Sequence, residues 1–107
     1  MTEWKLIYTP EAAKDMAALD GSQRIQVQKA IKKVKTNPLP VSEGGYGKPL
    51  GNKNGNDLSG LLKIKLLKLG IRIVYKLIRV DNEMIILVIG AREDNEVYDI
   101  AKERQTR

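Results

Sequence analysis

The sequence contains no histidine and no cysteine. Without cysteine there is no disulfide framework and no thiolate chemistry, which fits a reducing cytoplasm. Without histidine the commonest general acid–base and the commonest metal ligand are both missing. A zinc site would need carboxylates alone, an unfavourable donor set, so no metal and no cofactor is expected. Catalysis, if there is any, falls to Lys, Arg, Tyr, Ser, Thr or carboxylates. The run from Met1 to Tyr8 is short, half polar and ends in Thr9-Pro10, so it reads neither as a signal peptide nor as a membrane span. No membrane partner is expected. The glycine-rich stretch Gly44-Gly45-Tyr46-Gly47-Lys48 lacks the Gly-x-x-x-x-Gly-Lys-Ser/Thr spacing of a phosphate-cradling nucleotide loop.

What is present is basic. The 107 residues, enough for one domain spanning 1–107, carry 19 Lys and Arg against 13 Asp and Glu, a net charge of +6. Hydrophobic residues make up 42% of the chain, enough to build a packed core. A small basic domain suits a polyanionic partner, most often nucleic acid. The same charge also suits an acidic protein, or solubility alone.

The pattern along the chain predicts an α+β fold. Trp4 to Tyr8 reads as a strand. Thr9-Pro10-Glu11 starts a helix, with Thr9 as cap, Pro10 at the first helical position and Glu11 at the positive end of the dipole. That helix runs to about Leu19 with Ala12, Ala13, Met16 and Leu19 inward. Ser22 is expected to cap a second helix whose buried stripe is Val27, Ala30, Ile31 and Val34. Asn37-Pro38-Leu39-Pro40 stops it. Val41 to Asp57 is expected to be a long loop. Three strands follow: Leu61 to Lys68, Gly70 to Val80 and Glu83 to Gly90, with a tight turn at Asp81-Asn82. A short helix through Tyr98, Ile100 and Ala101 closes the chain. The expected architecture is an N-terminal strand and αα-hairpin packed on an antiparallel four-stranded sheet, plus the C-terminal helix.

The alternation of side chains puts Lys63 and Lys65 on one face of their strand, and Leu62, Ile64 and Leu66 on the other. Two ammonium groups so close repel each other unless something anionic, such as a phosphate, lies between them. On spacing alone the plainer reading, a solvated face with a leucine-rich core face behind it, is preferred. Arg72 shares its strand face with Val74 and Lys76. Whether that face joins Lys63 and Lys65 depends on the strand register, which the sequence leaves open. Arg92 follows the apolar third strand, and Tyr98 comes six residues later. Tyr98 could take part in proton transfer or simply pack a terminal helix. Lys48, Lys53, Lys68 and Lys76 are candidate contacts to an RNA backbone, with flexible surface the default reading for Lys48 and Lys53.

Taken in order, Gly47-Lys48-Pro49-Leu50, Leu58-Ser59-Gly60-Leu61, Lys63-Ile64-Lys65, Gly70-Ile71-Arg72-Ile73-Val74-Tyr75 and Arg92-x-x-x-Glu96-Val97-Tyr98 resemble the RelE/ParE superfamily of type II toxin–antitoxin toxins, and its RelE branch most of all. The similarity covers nearly the whole chain. It lies in the ordered series, since no single motif is specific. The resemblance implies a microbial-RNase-like fold and a metal-independent endoribonuclease that cuts messenger RNA in the ribosomal A site. In that family the 2′-hydroxyl attacks the adjacent phosphate, giving a 2′,3′-cyclic phosphate and a 5′-hydroxyl. The catalytic lysines correspond to Lys63 and Lys65, the arginines to Arg72 and Arg92, and the tyrosine to Tyr98. The implied partners are a cognate antitoxin, the ribosome and its message, and operator DNA only through the antitoxin complex. Lys65 is the candidate base, though which group is base and which is acid stays open. Two features depart from the pattern: the acidic Glu93-Asp94-Asn95 and the longer glycine-rich loop before Leu58. Two alternatives share the fold, a ParE-like toxin acting on DNA gyrase and an inactive relative that only binds its antitoxin.

Overall fold

The computed structural model describes residues 3–53, 56–91 and 94–105. The chain runs β1 (Lys5–Tyr8), α1 (Pro10–Ala17), α2 (Gly21–Lys35), β2 (Lys48–Lys53), β3 (Asn56–Leu66), β4 (Ile71–Ile78), β5 (Glu83–Gly90) and α3 (Asp94–Gln105). One sheet holds all five strands in the order β1-β5-β4-β3-β2. The expected α+β class holds, with two corrections. The sheet has five strands rather than four, and β1 runs parallel to β5 while the other pairings are antiparallel. The fifth strand, β2, lies inside the segment expected to be a long loop.

The helices start where local chemistry starts them. The Thr9 side chain accepts from the Ala12 N–H at 3.1 Å. For α2 the cap is Asp20 rather than Ser22. Asp20 accepts from the Gln23 N–H at 2.8 Å, and the Gln23 side chain accepts from the Asp20 N–H at 3.1 Å, a reciprocal capping box. Ser22 lies inside the helix, and its hydroxyl donates to Asp20 at 2.9 Å. The turn between β4 and β5 is also longer than expected: a one-turn 3₁₀ helix over Arg79–Asp81 precedes Asn82, which takes a left-handed φ of 53°.

The sheet has an apolar layer on each side. On one, Ala12 of α1 and Val27, Ile31 and Val34 of α2 pack on Leu62, Ile64, Ile73, Tyr75, Met84 and Ile86. Ala13, expected inward, is exposed. The fully buried Tyr75 donates its hydroxyl to the Pro38 carbonyl at 2.8 Å, tying the end of the helix hairpin to the sheet. Burial pushes that phenol well above its ordinary range. On the other side, Val97, Tyr98 and Ala101 of α3 pack on Leu50, Leu58, Leu61, Val74, Leu87 and Val88. β5 is covered on both faces, as its apolar run requires.

One ion pair closes the edge of β5 beyond the end of β1. The β4–β5 register shifts between Val74 and Tyr75, so that Val74 faces Val88 and Tyr75 faces Ile86. Leu87 is the extra residue of a bulge. Its carbonyl accepts from Arg104 at 2.7 Å, and the Ile89 N–H donates to Asp15 at 3.0 Å. Arg104 and Asp15 join at 2.8 Å. The two side chains thus stand in for the missing length of β1 and connect α3 to α1 across the sheet edge. Arg104→Ala leaves the largely buried Asp15 carboxylate held by the Ile89 N–H but without its counter-ion, and takes a donor from the Leu87 carbonyl. It is expected to cost about 2 kcal/mol, read as a fall in Tm of roughly 10 °C.

Acid sensitivity has a local source as well. The Gln23 N–H and then the Ser22 hydroxyl hold the Asp20 carboxyl below its usual range. Hydrogen bonds from Arg79 do the same for Glu43. Each group binds its proton more weakly folded than unfolded, so its contribution is present above about pH 4 and is lost as pH falls through the folded value. Asp20→Asn, which still caps, is expected to flatten the acid limb of a Tm-against-pH curve and leave Tm at neutral pH nearly unchanged.

Candidate active site

The strand register decides which of the cations meet. Across β3 and β4, Lys65 stands opposite Arg72, Lys63 opposite Val74 and Leu61 opposite Lys76. Across β2 and β3, Lys48 stands opposite Lys63. Directly opposed residues point to the same face, so Lys48, Lys63, Lys65, Arg72 and Lys76 share one. Leu61 and Val74 lie among them and belong to the α3-side core, which identifies that face as the one α3 partly covers. The sheet therefore carries two like-charge pairs directly across a ladder, Lys48/Lys63 and Lys65/Arg72.

Arg72 is half-buried, and its Nη1 donates to the Gly70 carbonyl at 2.9 Å. On its other side stands Gly90 of β5. A Cβ at Gly90 would meet Val97 Cγ2 at 3.4 Å, an ordinary van der Waals contact, so α3 packs over the sheet here at normal distance. Tyr98 packs the terminal helix and also meets a cation. Its ring is 3% exposed and belongs to the core beneath α3. Its hydroxyl accepts from Lys63 Nζ at 3.4 Å, and the ammonium lies 5.8 Å from the ring centroid.

The remaining candidates are spread more widely. Lys48 is exposed at the start of β2 and Lys76 is half-buried on β4. Lys53 ends β2, opposite Asn56. Lys68 is exposed in the turn between β3 and β4, beside a groove of about 650 Å³ that it lines with Ser22, Gln26, Lys65 and Leu67. Arg92 lies outside the described residues, as does Glu93 of the acidic stretch. What the sequence did not reveal is that Lys48 completes the ladder. Lys48 and the buried Leu50 stand two residues apart, the spacing of side chains that share one strand face, and that is the signal that could have shown it.

Chemically, such a ladder offers several N–H donors to one or two phosphate groups. Lysine ammonium and arginine guanidinium also suit the negative charge that builds on a phosphorane. Among the described residues no helix is long and apolar enough to cross a membrane.

Comparison with models of known protein families finds no match. A RelE-like toxin protein of Escherichia coli is 34% identical over 103 residues, covering 94% of this chain and 96% of the relative. Among solved structures, the chain is similar to an arginine-to-alanine double mutant of E. coli toxin RelE in the free state, with a TM-score of 0.76, 25% identity, and coverage of 96% of this chain and 98% of that one. The same mutant in complex with a peptide of the antitoxin RelB matches with a TM-score of 0.70 and 25% identity over 94% of this chain and 95% of that one. Since an E. coli RelE-like toxin is 34% identical to it across 94% of this chain, the chain belongs to the RelE-like toxin family.

Proposed function

We propose that this toxin is a metal-independent endoribonuclease that cuts messenger RNA on the ribosome and is held in check by a cognate antitoxin. The observation that carries the reading is the pair of cross-strand cation pairs, Lys48/Lys63 and Lys65/Arg72. Like charges directly opposite in a sheet are destabilising. A phosphate laid across them meets charged donors from both strands at once. Cleavage then requires three things. A base takes the proton from the 2′-hydroxyl. The 2′-oxygen bonds to phosphorus as the bond to the 5′-oxygen breaks. The departing 5′-oxygen receives a proton, leaving a 2′,3′-cyclic phosphate and a 5′-hydroxyl. Lys63, Lys65 and Tyr98 are the proton-bearing groups in this scheme. Arg72 and Arg92 hold the phosphate, for which the guanidinium fork is suited. Lys53, Lys68 and Lys76 are assigned to backbone contacts. The antitoxin is the expected protein partner, since the E. coli RelE double mutant forms a complex with an antitoxin peptide.

The test is to map message ends in a translating extract. The wild type is expected to generate new 5′-hydroxyl ends within ribosome-bound message, and Arg92→Ala is expected to reduce them. Intact message with DNA damage in expressing cells would instead favour a gyrase-directed toxin. Intact message together with tight antitoxin binding would favour an inactive relative.

A further inference from the structure

We propose that the outward face of α2 is a second RNA-backbone surface, on the opposite side of the sheet from the cation ladder. Between Asp20 and Glu43 the sequence has no acidic residue but carries Arg24, Lys29, Lys32, Lys33 and Lys35. Val27, Ile31 and Val34 bury the inward side of α2. Lys29, Lys32 and Lys33, at spacings of three and four, share the opposite side and are all exposed. Among the described residues none of the three is in an ion pair. Like charges so spaced weaken a helix. The helix dipole favours Lys32 and Lys33 in the last turn, but it does not account for Lys29, which lies further in.

A second feature adjoins these lysines. Lys33 Nζ lies 5.4 Å from the centroid of the Tyr46 ring, and Tyr46 is 49% exposed. The loop carrying it is anchored by the Tyr46 N–H, which donates to the Asn37 carbonyl at 3.0 Å. An exposed ring beside a lysine can stack an unpaired base while the ammonium reaches the phosphate.

This chemistry fits RNA better than an acidic protein. Protein interfaces are built around apolar anchors and are depleted in lysine. Ile25 is the large apolar side chain exposed on α2. Phosphate contacts, by contrast, are made by flexible cations that position a backbone without reading its sequence. The sheet separates the two surfaces: the α2 stripe packs on Leu62, Ile64 and Ile73, whereas Lys63 and Lys65 point to the α3 side. A strand lying in the ladder leaves α2 uncovered. The second surface therefore takes a different RNA segment, so the toxin would grip structural RNA with α2 while the ladder holds the message. The inference extends the RNA reading above, but its test does not depend on cleavage.

The probe is purified ribosomal RNA, with binding measured across a salt series. The triple variant Lys29→Gln, Lys32→Gln, Lys33→Gln is expected to bind about 10-fold or more weakly at low salt. Its slope of log affinity against log salt should be shallower by roughly 2, near 0.7–0.9 per lost phosphate contact. The corresponding arginine triple variant should bind as the wild type does. Unchanged Tm in both variants excludes misfolding as the cause. Unchanged affinity and slope in the glutamine variant overturn the proposal. So does weakened antitoxin binding with RNA binding intact, which would assign the face to an acidic protein. A wild type that cuts no message, while the glutamine variant loses RNA affinity, supports the surface and overturns the cleavage reading.

Discussion

Replacing Arg72 with alanine is expected to lower cleavage of ribosome-bound message by about 10²–10³-fold and to leave Tm almost unchanged. The two effects separate because of where Arg72 sits. It is half-buried on β4, facing Lys65 across one ladder and Gly90 across the other. Removing it vacates no core position, and the relief of one like-charge pair offsets the loss of its hydrogen bond to the Gly70 carbonyl. What is lost is a guanidinium able to fork onto two phosphate oxygens as charge builds there. Arg72→Lys keeps the charge but not the fork, so it should recover only part of the rate. The measurement is the yield of new message ends per unit time in a translating extract, paired with a thermal melt of each variant. Cleavage by Arg72→Ala near the wild-type rate would remove Arg72 from the phosphate site. A large fall in Tm would show that its role is structural.

Much of the fold is written in short-range patterns. The alternation of Lys63 and Lys65 against Leu62 and Ile64 correctly puts the two pairs on opposite faces, because period-2 patterning is a property of a single strand. The same holds for the stripe of Val27, Ile31 and Val34 on α2. The lysine face is not simply solvated, however, since Leu61 and Val74 on it are buried beneath α3. The apolar run of β5 correctly implies cover on both faces. β2 was hidden because Pro49 and Gly51 disfavour a strand reading. An edge strand tolerates both, and β2 is the last strand in the sheet order. Its register to β3 shifts between Pro49 and Gly51, which no local pattern announces. The meeting of Lys65 with Arg72 depends on the register of two strands, and that depends on the turn joining them. The pairing of Asp15 with Arg104 joins residues 89 apart, so their positions in sequence say nothing of it. For the candidate site, the sequence supplied the residue types and their faces. The tertiary pairing supplied the ladder and the contact between Lys63 and Tyr98.

Tyr98 is where stability and the proposed chemistry meet, and two substitutions pull them apart. Tyr98→Ala is expected to lose both, because the ring is 3% exposed in the core beneath α3. Truncating a buried aromatic to alanine costs about 3–5 kcal/mol, a large part of the stability of a domain this size. A thermal melt should show a steep fall in Tm or no cooperative transition. Tyr98→Phe keeps the ring and removes only the hydroxyl that accepts from Lys63 Nζ at 3.4 Å. That bond is long and the hydroxyl lies beside a half-buried ammonium, so its loss should move Tm little. If the hydroxyl orients the 2′-hydroxyl or passes a proton, the phenylalanine variant should still cut about 10²-fold more slowly. The decisive comparison is therefore the cleavage rate of Tyr98→Phe at matched Tm. A wild-type rate would leave Tyr98 a packing residue whose contact with Lys63 has no part in the reaction.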